Sequence, residues 1–285
     1  MNHSNYQALT VLVNSCDAYE DVWGLFFSAY HEFASGLPAN IALNTESKQY
    51  EDKCVNVETI NFLNVKGDLW GKRLLHALKA IKTEYILMVC EDFVLESSLD
   101  KKRILDCLHF MKTHDETAAI YLVKVAEKII KNSDIEFEEL TRFMDYKVNS
   151  APAIWRKNDL IRYVGEIDSP WAWEYFGSYR SYFDGRKFYQ VPTKTGDLYI
   201  YNSKLGGAIY RGKWVRDVVE NKIKKYNLPI DLENRGIANL SELPKRSLKW
   251  KVSFFYLGYR MIGLPVLLFF FRALCTKILR RNGLA

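Results

Sequence analysis

The sequence lacks the short motifs that identify several large enzyme classes. It contains no glycine-rich phosphate loop and no nucleophile elbow, which argues against a P-loop NTPase and an α/β-hydrolase. The five cysteines form no C-x-x-C pair, and the five histidines show no metal-ligand spacing. We therefore predict no zinc site and a reducing compartment. Repeats and low-complexity segments are also absent, and 48% of the 285 residues are hydrophobic, so we expect one main globular domain.

Acidic residues are absent from Pro244 onward, where nine Lys and Arg residues occur. The preceding 243 residues contain the other 31 basic side chains and all 34 acidic ones, a net charge of −3. A nucleic-acid-binding protein more often spreads positive charge over a folded face. We therefore expect no nucleic-acid partner and a separate role for the basic C-terminal segment.

Apolar runs and helical spacing alternate along the chain. Strands are predicted at residues 8–13, 40–43, 55–60, 85–89, 118–123, 153–155, 197–201 and 208–210. Helices are predicted at residues 19–33, 70–81, 98–114, 158–163, from 170 and from 212 to about 226. Ser98 is the expected N-cap of its helix. The order strand, helix, strand favours an α/β fold with parallel pairing.

Two carboxylates, Glu91 and Asp92, follow the apolar residues 85–89. Open α/β sheets bind their ligands at the carboxyl ends of such strands. One or two carboxylates together with nucleotide phosphates are a normal ligand set for Mg²⁺ or Mn²⁺. The alternative is that both are solvated loop residues.

A second group of chemically active side chains lies between Asp168 and Glu174. Pro170 fits the first turn of a helix, which puts Glu174 one turn further along. Trp171 and Trp173 flank this turn, and indoles stack on sugar faces. The alternative is an aromatic core cluster with Asp168 as a capping residue.

Polar residues also follow the first two strands, namely Asn14, Ser15 and Asp17 after the first and Thr45 after the second. Loops at the carboxyl ends of neighbouring parallel strands meet in one crevice, so these side chains could bind a base and a ribose. Arg73 could reach a phosphate. Helix caps, and a solvated arginine, are the alternatives.

Residues 11–17, 70–74, 85–93 and 169–174, taken together, resemble those of GT-A-type glycosyltransferases. More closely, the chain is similar to the bacterial family 2-like sugar transferases of capsule, O-antigen and lipooligosaccharide synthesis. The resemblance covers roughly residues 8–215. It implies a nucleotide-sugar donor, a Rossmann-like donor half and a divalent cation, Mg²⁺ or Mn²⁺.

The resemblance also implies roles for individual residues. Asp92 would bind the cation beside Glu91, although Cys90 stands where the usual D-x-D motif has its first aspartate. Glu174 corresponds to the general base of inverting members, and Asp168 would orient the acceptor. The donor would face Asn14, Ser15, Asp17, Thr45, Arg73 and Glu91, and the acceptor would face Trp171 and Trp173.

The expected architecture is a GT-A-like, Rossmann-type mixed sheet flanked by helices over residues 1–243. Its donor half spans about residues 8–123 and its acceptor half about 124–215, with a connecting helix after 212. Residues 244–285 would form a basic, apolar, membrane-associating helical tail. Oligomeric state is left open.

Residues 252–274 of this tail are apolar enough to meet lipid, but Arg260, Pro265 and Arg272 interrupt the run of about 20 apolar residues that a spanning helix needs. We expect an in-plane helix whose cations are attracted to anionic headgroups. The alternative is packing on the catalytic domain or on a second subunit. Residues 1–7 are polar and precede only a short apolar run, so we expect a cytoplasmic start and peripheral attachment to the cytoplasmic face of the inner membrane.

The predicted reaction is transfer of a sugar from a nucleotide-sugar donor to a hydroxyl of a glycan acceptor, free or lipid-linked, with inversion and with Glu174 as base. Its setting would be bacterial surface polysaccharide or lipooligosaccharide synthesis. Two alternatives stay open. One is a nucleotidyltransferase acting on a sugar phosphate, and the other is a non-catalytic, membrane-docked scaffold of a polysaccharide assembly complex.

Overall fold

The computed structural model describes residues 8–37, 39–62, 70–130, 136–239 and 246–281. The strands are β1 (Leu9–Asn14), β2 (Asn40–Thr45), β3 (Val57–Asn61), β4 (Tyr85–Val89), β5 (Thr117–Tyr121), β6 (Ile129–Ile130), β7 (Glu138–Leu140), β8 (Ala153–Arg156), β9 (Lys187–Gln190), β10 (Ile209–Tyr210) and β11 (Lys213–Trp214). The α-helices are α1 (Glu20–Ala34), α2 (Trp70–Ala80), α3 (Lys101–Thr113), α4 (Lys157–Tyr163), α5 (Pro170–Phe176), α6 (Arg216–Lys225), α7 (Leu248–Ile262) and α8 (Val266–Arg281).

The first nine strands form one sheet in the order β3-β2-β1-β4-β8-β5-β9-β7-β6. On one side of the sheet, β3, β2, β1 and β4 are parallel, as predicted. Every residue of β1 and β4 is buried, because helices cover both faces of a parallel sheet. Asn14, Thr45 and Val89 therefore end their strands at the same edge of the sheet.

The central strand β8 runs antiparallel to both of its neighbours, β4 and β5. Met88 near the end of β4 pairs with Ala153 at the start of β8. The loop that precedes β8 is therefore brought to the carboxyl end of β4, where the predicted site lies. Together with the parallel β5–β9 pair, this makes the sheet mixed, as the sequence analysis expected.

Three local predictions are wrong. The N-cap of α3 is Asp100 rather than Ser98, because the Asp100 side chain accepts hydrogen bonds from the backbone N–H groups of the following turn. Residues 197–201 form no strand, since the amides of Leu198 and Tyr199 both donate to the Leu122 carbonyl and bend the chain. The helix predicted from residue 212 begins only at Arg216, because β10 and β11 form a hairpin before it.

The short strands β6, β7 and β9 carry no clear sequence signal and were not predicted. The strand β9 has only two apolar residues, Phe188 and Tyr189, between polar neighbours. Both are buried in the sheet between β5 and β7. Such pairing depends on long-range partners rather than on a local hydrophobic pattern.

The C-terminal segment forms two helices, α7 and α8, instead of one. The break falls between Gly263, which has a φ of +68°, and Pro265, which fixes its own φ and lacks an amide proton. In the part of the chain that the structure describes, no helix is long and apolar enough to cross a membrane. The inner faces of α7 and α8 pack on α5, in a cluster that includes Phe176 and Phe269.

Candidate active site

A cavity of about 290 Å³ opens at the carboxyl ends of β1 and β4. It is lined by residues from β1 and the loop after it, from α2, from the loop after β4, from the loop before β8 and from α5. These residues are Asn14, Ser15, Cys16, Tyr19, Trp70, Arg73, Cys90, Glu91, Asp92, Ser150, Pro170, Trp171 and Glu174. The sequence analysis named seven of them as candidate site residues: Asn14, Ser15, Arg73, Glu91, Asp92, Trp171 and Glu174.

The acidic pair Glu91 and Asp92 lies at the base of this cavity. Burial raises the pKa of both carboxyls from their usual range toward neutrality, and the charge of Asp92 raises the pKa of Glu91 further. A hydrogen bond from Ser15 and the charge of Arg73 act in the opposite direction on the pKa of Glu91. At neutral pH the pair therefore retains protons that a bound cation would displace.

The backbone of the turn after β4, which contains Glu91 and Asp92, is held by a segment more than 100 residues away in the sequence. The Ala208 amide donates to the Asp92 carbonyl at 2.8 Å, and the Tyr199 hydroxyl donates to the Phe93 carbonyl at 2.7 Å. Gly207 has a φ of +92°, and a Cβ at that position would lie 2.7 Å from the Asp92 carbonyl oxygen. Only glycine fits there without moving the turn.

Glu174 projects from α5, whose start is defined by the Ser169 cap and by Pro170. Its Oε1 accepts hydrogen bonds from the Ser150 amide, at 2.9 Å, and from the Ser150 hydroxyl. Within the described residues no hydrogen bond reaches its Oε2. One carboxylate oxygen is thus fixed by the loop before β8, and the other is available to a ligand. Trp171, one turn earlier, is 60% exposed at the rim of the cavity.

Arg73 and the polar residues at the end of β1, Asn14 and Ser15, also line the cavity. Arg73 is buried and forms an ion pair with Glu46, while its Nε has no hydrogen-bond partner among the described residues. The side-chain oxygen Oδ1 of Asn14 accepts a hydrogen bond from Nδ2 of Asn44 at 2.6 Å. The Ser15 hydroxyl accepts one from the indole of Trp23 at 2.7 Å.

Asp168 and Trp173 do not lie where the sequence analysis expected them. Asp168 is fully buried, and its carboxylate accepts hydrogen bonds from both terminal nitrogens of Arg180 and from the Gly165 amide. Trp173 is fully buried, and its indole donates to the Tyr163 carbonyl at 3.0 Å. Neither side chain faces the cavity, so neither contacts an acceptor there. The alternative of an aromatic core cluster fits Trp173, but the capping residue of α5 is Ser169 rather than Asp168.

Asp17 and Thr45 also lie behind the cavity wall. The Asp17 carboxylate accepts hydrogen bonds from the amides of Glu46, Ser47 and Lys48 and from the Ser47 hydroxyl. Thr45 is fully buried and donates to the Lys48 carbonyl at 2.9 Å. Both residues fix the loop that follows β2. Glu46 of that loop is the ion-pair partner of Arg73, so they position the wall rather than contact a ligand.

The protein residues alone do not make a complete metal site. Among the described residues no group of three or more His, Cys, Asp or Glu side chains could hold a metal ion. Burial raises the pKa of the Cys90 thiol well above its usual range, so Cys90 stays protonated and is a poor ligand. Glu91 and Asp92 fit a hard cation only if phosphate and water oxygens complete its coordination.

The residues that the sequence analysis missed are those with distant partners. Ser150 lies 24 positions before Glu174, and Tyr19 contributes to the cavity without any motif. Burial and the nearby carboxylates raise the pKa of Tyr19 to about 12. The one feature of the sequence that indicates Tyr19 as a cavity residue is its position two residues after Asp17, in the first polar loop.

No protein-family model matches this chain, and no curated protein matches it in sequence. Solved structures do match it. Over 91% of this chain and 50% of that one, it is similar to S. aureus TarS, a protein with a GT-A-like fold, with a TM-score of 0.50 and 11% identity. It thus spans half the length of that TarS structure.

Two further structures are less similar. S. aureus TarS 1–349 matches over 80% of this chain and 68% of that one, with a TM-score of 0.47 and 13% identity. The 4-diphosphocytidyl-2C-methyl-D-erythritol synthase of Anaerococcus prevotii matches over 70% of this chain and 94% of that one, with a TM-score of 0.39 and 12% identity.

The likeness to TarS concerns the fold. It confirms the predicted GT-A-type architecture, a mixed α/β sheet flanked by helices. At 11% identity it transfers no residue roles. The function of this chain therefore depends on the residues that line its own cavity.

Proposed function

We propose that this protein is an inverting glycosyltransferase that moves a sugar from a nucleotide-sugar donor to a hydroxyl of a glycan acceptor. The observation that supports this most directly is the composition of the cavity. Two carboxylates after β4, the buried Glu91 and the half-buried Asp92, line the same cavity as a third carboxylate, Glu174, in a GT-A-like fold. A donor diphosphate bound near the first pair would place its sugar between that pair and Glu174.

The chemical step follows from this arrangement. As the acceptor oxygen attacks the anomeric carbon, Glu174 Oε2 takes its proton. The new carbon–oxygen bond forms while the bond from the anomeric carbon to the diphosphate oxygen breaks, and the bonding electrons leave with the diphosphate. Attack from the face opposite the leaving group inverts the anomeric centre. Arg73, in the cavity wall, offsets charge that develops on the diphosphate.

Glu91 and Asp92 would hold Mg²⁺ or Mn²⁺ in this proposal, with Asp92 as the direct ligand. When bound, the cation neutralises part of the charge on the departing diphosphate. The two carboxylates fit this role because their raised pKa values show that the surrounding residues do not balance their negative charge when they ionise, and a bound cation would do so. The nucleoside would be bound near Asn14 and Ser15, which line the same cavity.

Trp171 is the proposed acceptor platform. Its exposed indole at the rim offers an apolar face on which a sugar ring can stack. The proposed setting is bacterial surface polysaccharide or lipooligosaccharide synthesis at the cytoplasmic face of the inner membrane, with the segment from residue 246 on the membrane surface. The basic charge and absence of acidic residues in that segment support the membrane partner.

A screen of nucleotide sugars tests the proposed reaction. The full chain is mixed with each nucleotide sugar, with and without Mn²⁺ or Mg²⁺, and binding and slow hydrolysis are measured. We expect at least one donor to bind, more tightly with the cation, and to release a free nucleoside diphosphate. Release of pyrophosphate from a nucleoside triphosphate and a sugar phosphate would indicate a nucleotidyltransferase instead. Absence of nucleotide binding would favour the scaffold alternative.

The acidic pair predicts a specific dependence of stability on pH. The folded-state pKa values of Glu91 and Asp92 lie above the usual carboxyl values, so folding favours their protonated forms. Their contribution to stability is complete below the unfolded pKa of about 4 and is lost as pH rises through the raised values near neutrality. Thermal unfolding from about pH 5 to 9 should show this loss, and Mn²⁺ should raise the melting temperature more at pH 8 than at pH 6.

The matched control for this experiment is Asp92→Asn. Because the variant lacks one of the two coupled carboxyls, its stability should fall less over the same pH range, and the Mn²⁺ effect should be absent. Identical pH profiles for the two proteins would contradict the assignment of this titration to the acidic pair.

A further inference from the structure

The helices α7 and α8 expose an unusual number of apolar side chains. On α7 the exposed side chains recur at helical spacing, and on α8 they cover most of the outward surface. They are Leu248, Val252, Tyr256, Tyr259, Leu264, Leu267, Leu268, Phe270, Phe271 and Leu274. We call this set, with the connecting turn, the outer face of the α7–α8 hairpin. Nothing in the described part of the chain covers it, and a patch of this kind marks an interaction surface.

The charges on the hairpin itself all have one sign, and Asp145 of the catalytic domain pairs with one of them, Arg272 on α8, at 2.6 Å. Lys249, Lys251 and Arg260 are exposed on α7, and no acidic residue occurs anywhere from Pro244 onward. Two copies of this face would therefore bring like charges together, which opposes self-association. Anionic lipid headgroups, in contrast, attract each cation while the acyl boundary accepts the apolar side chains.

The inner face of the hairpin is fixed to the helix that contains Glu174. The ring of Phe176 on α5 packs against Gly258 so closely that a Cβ there would lie 2.6 Å from it. Phe176 also contacts Phe269 with ring centroids 5.6 Å apart, and the Tyr175 hydroxyl donates to the Phe269 carbonyl at 3.3 Å. The outer face consequently has a defined position relative to α5.

The start of α7 adjoins the rim of the cavity. The guanidinium of Arg246 lies 3.8 Å from the ring centroid of Trp250 and 5.6 Å from that of Trp171. Trp171 is the exposed aromatic residue at the rim. A cation between two indoles at this point is typical of a protein surface at the headgroup level of a membrane.

From these contacts we infer that the outer face of the α7–α8 hairpin lies in the headgroup region of an anionic bilayer and holds the Trp171 rim of the cavity at that level. The inference deepens the proposed function and rests on it in one respect, since a rim at headgroup level would face an acceptor glycan attached to lipid. The inference places the helices in the interface, in keeping with the finding that no helix of the described residues is both long and apolar enough to cross a membrane.

Vesicle flotation of the full chain tests this inference. Phosphatidylcholine vesicles with about 30% phosphatidylglycerol should bind the protein at least tenfold more tightly than phosphatidylcholine alone. Leu267→Glu and Phe271→Glu should each weaken binding at least tenfold, and Lys249→Glu should weaken it about fivefold or more. Ile200→Glu, a change at an exposed apolar residue outside the hairpin, is the matched control and should leave binding unchanged.

Quenching of tryptophan fluorescence by a headgroup-level spin-labelled lipid tests the position of the rim. We expect the quenched fraction to fall in Trp171→Phe and Trp250→Phe, whereas Trp23→Phe removes a fully buried indole and should not reduce the quenching. Loss of vesicle binding by Phe271→Glu should leave nucleotide-sugar binding in solution intact, which separates this inference from the proposed function.

Three results would overturn the inference. The first is a wild-type chain that stays with the unbound fraction in the presence of anionic vesicles at low salt. The second is a stable dimer that Phe271→Glu converts to monomers, without any vesicle binding, because the outer face would then be a subunit interface. The third is vesicle binding in which quenching is the same with and without Trp171 and Trp250.

Discussion

Replacement of Glu174 by glutamine is expected to lower the rate of sugar transfer by at least about 100-fold, because a positioned general base usually contributes that much or more. Glutamine keeps the oxygen that accepts the two hydrogen bonds from Ser150, so α5 and the loop before β8 should keep their positions. The amide that replaces Oε2 cannot take a proton. Donor binding, measured by titration calorimetry, should therefore stay within about twofold of the parent.

The matched control is Glu166→Gln, in the loop just before α5. Glu166 is exposed and does not line the cavity, so the same chemical change there should leave transfer within about twofold. If Glu174→Gln transfers sugar at a rate within a few-fold of the parent, Glu174 is not the base. If donor binding is lost as well, the change has disturbed the cavity, and Ser150→Ala would show whether the loop before β8 has moved.

Replacement of Asp92 by asparagine is expected to have the second large effect, and it acts in two directions. Cation-dependent donor binding and transfer should fall at least about 100-fold, because the proposed direct ligand is lost. The protein without ligands should become more stable at pH 8, because a buried carboxyl with a raised pKa no longer has to ionise. Lost activity with a higher melting temperature is a combination that misfolding cannot produce.

Calorimetry with Mn²⁺ and the identified donor, together with thermal unfolding, measures both effects. Asp217→Asn is the control, since Asp217 is exposed on α6 far along the chain from the cavity residues. It should change neither binding nor stability by more than a small amount. A variant at Asp92 that binds donor and cation like the parent would show that Glu91 alone, or another group, holds the cation.

The two wrong assignments in the acceptor region have a common cause. Asp168 was assigned from its place beside the tryptophans, but the Arg180 guanidinium 12 positions later pairs with its carboxylate. Trp173 follows Trp171 by two residues, so a helix turns it away from the rim and into the core against Trp70. The local sequence shows the chemical type of these side chains but not the distant residues that they contact.

Asp17 shows the same limit on the donor side. A short polar side chain after a strand serves equally well as a ligand contact or as an acceptor for loop amides. The choice depends on the loop after β2, which begins 29 positions later and donates several amides to this carboxylate. The expected contact to the nucleotide is therefore replaced by a structural role.

The sequence by itself determined the strands and helices that support the cavity. Continuous apolar runs predicted β1 and β4, and helical spacing predicted α2, because burial of a strand or of one helix face leaves a local pattern. It also placed Glu91 and Asp92 directly after a strand and Glu174 one turn into a helix. Each of these predictions depends only on the pattern of residues a few positions apart in the sequence.

Only the tertiary structure decided which polar residues share the cavity. The antiparallel insertion of β8 next to β4 brings Ser150 to Glu174, and Gly207 leaves room for the Asp92 carbonyl. It also divided the apolar tail into an inner face on α5 and an outer face that no other described segment of the chain covers. The physical reason is the same throughout, since hydrogen bonds and packing between residues far apart in the chain leave no periodic trace in the sequence.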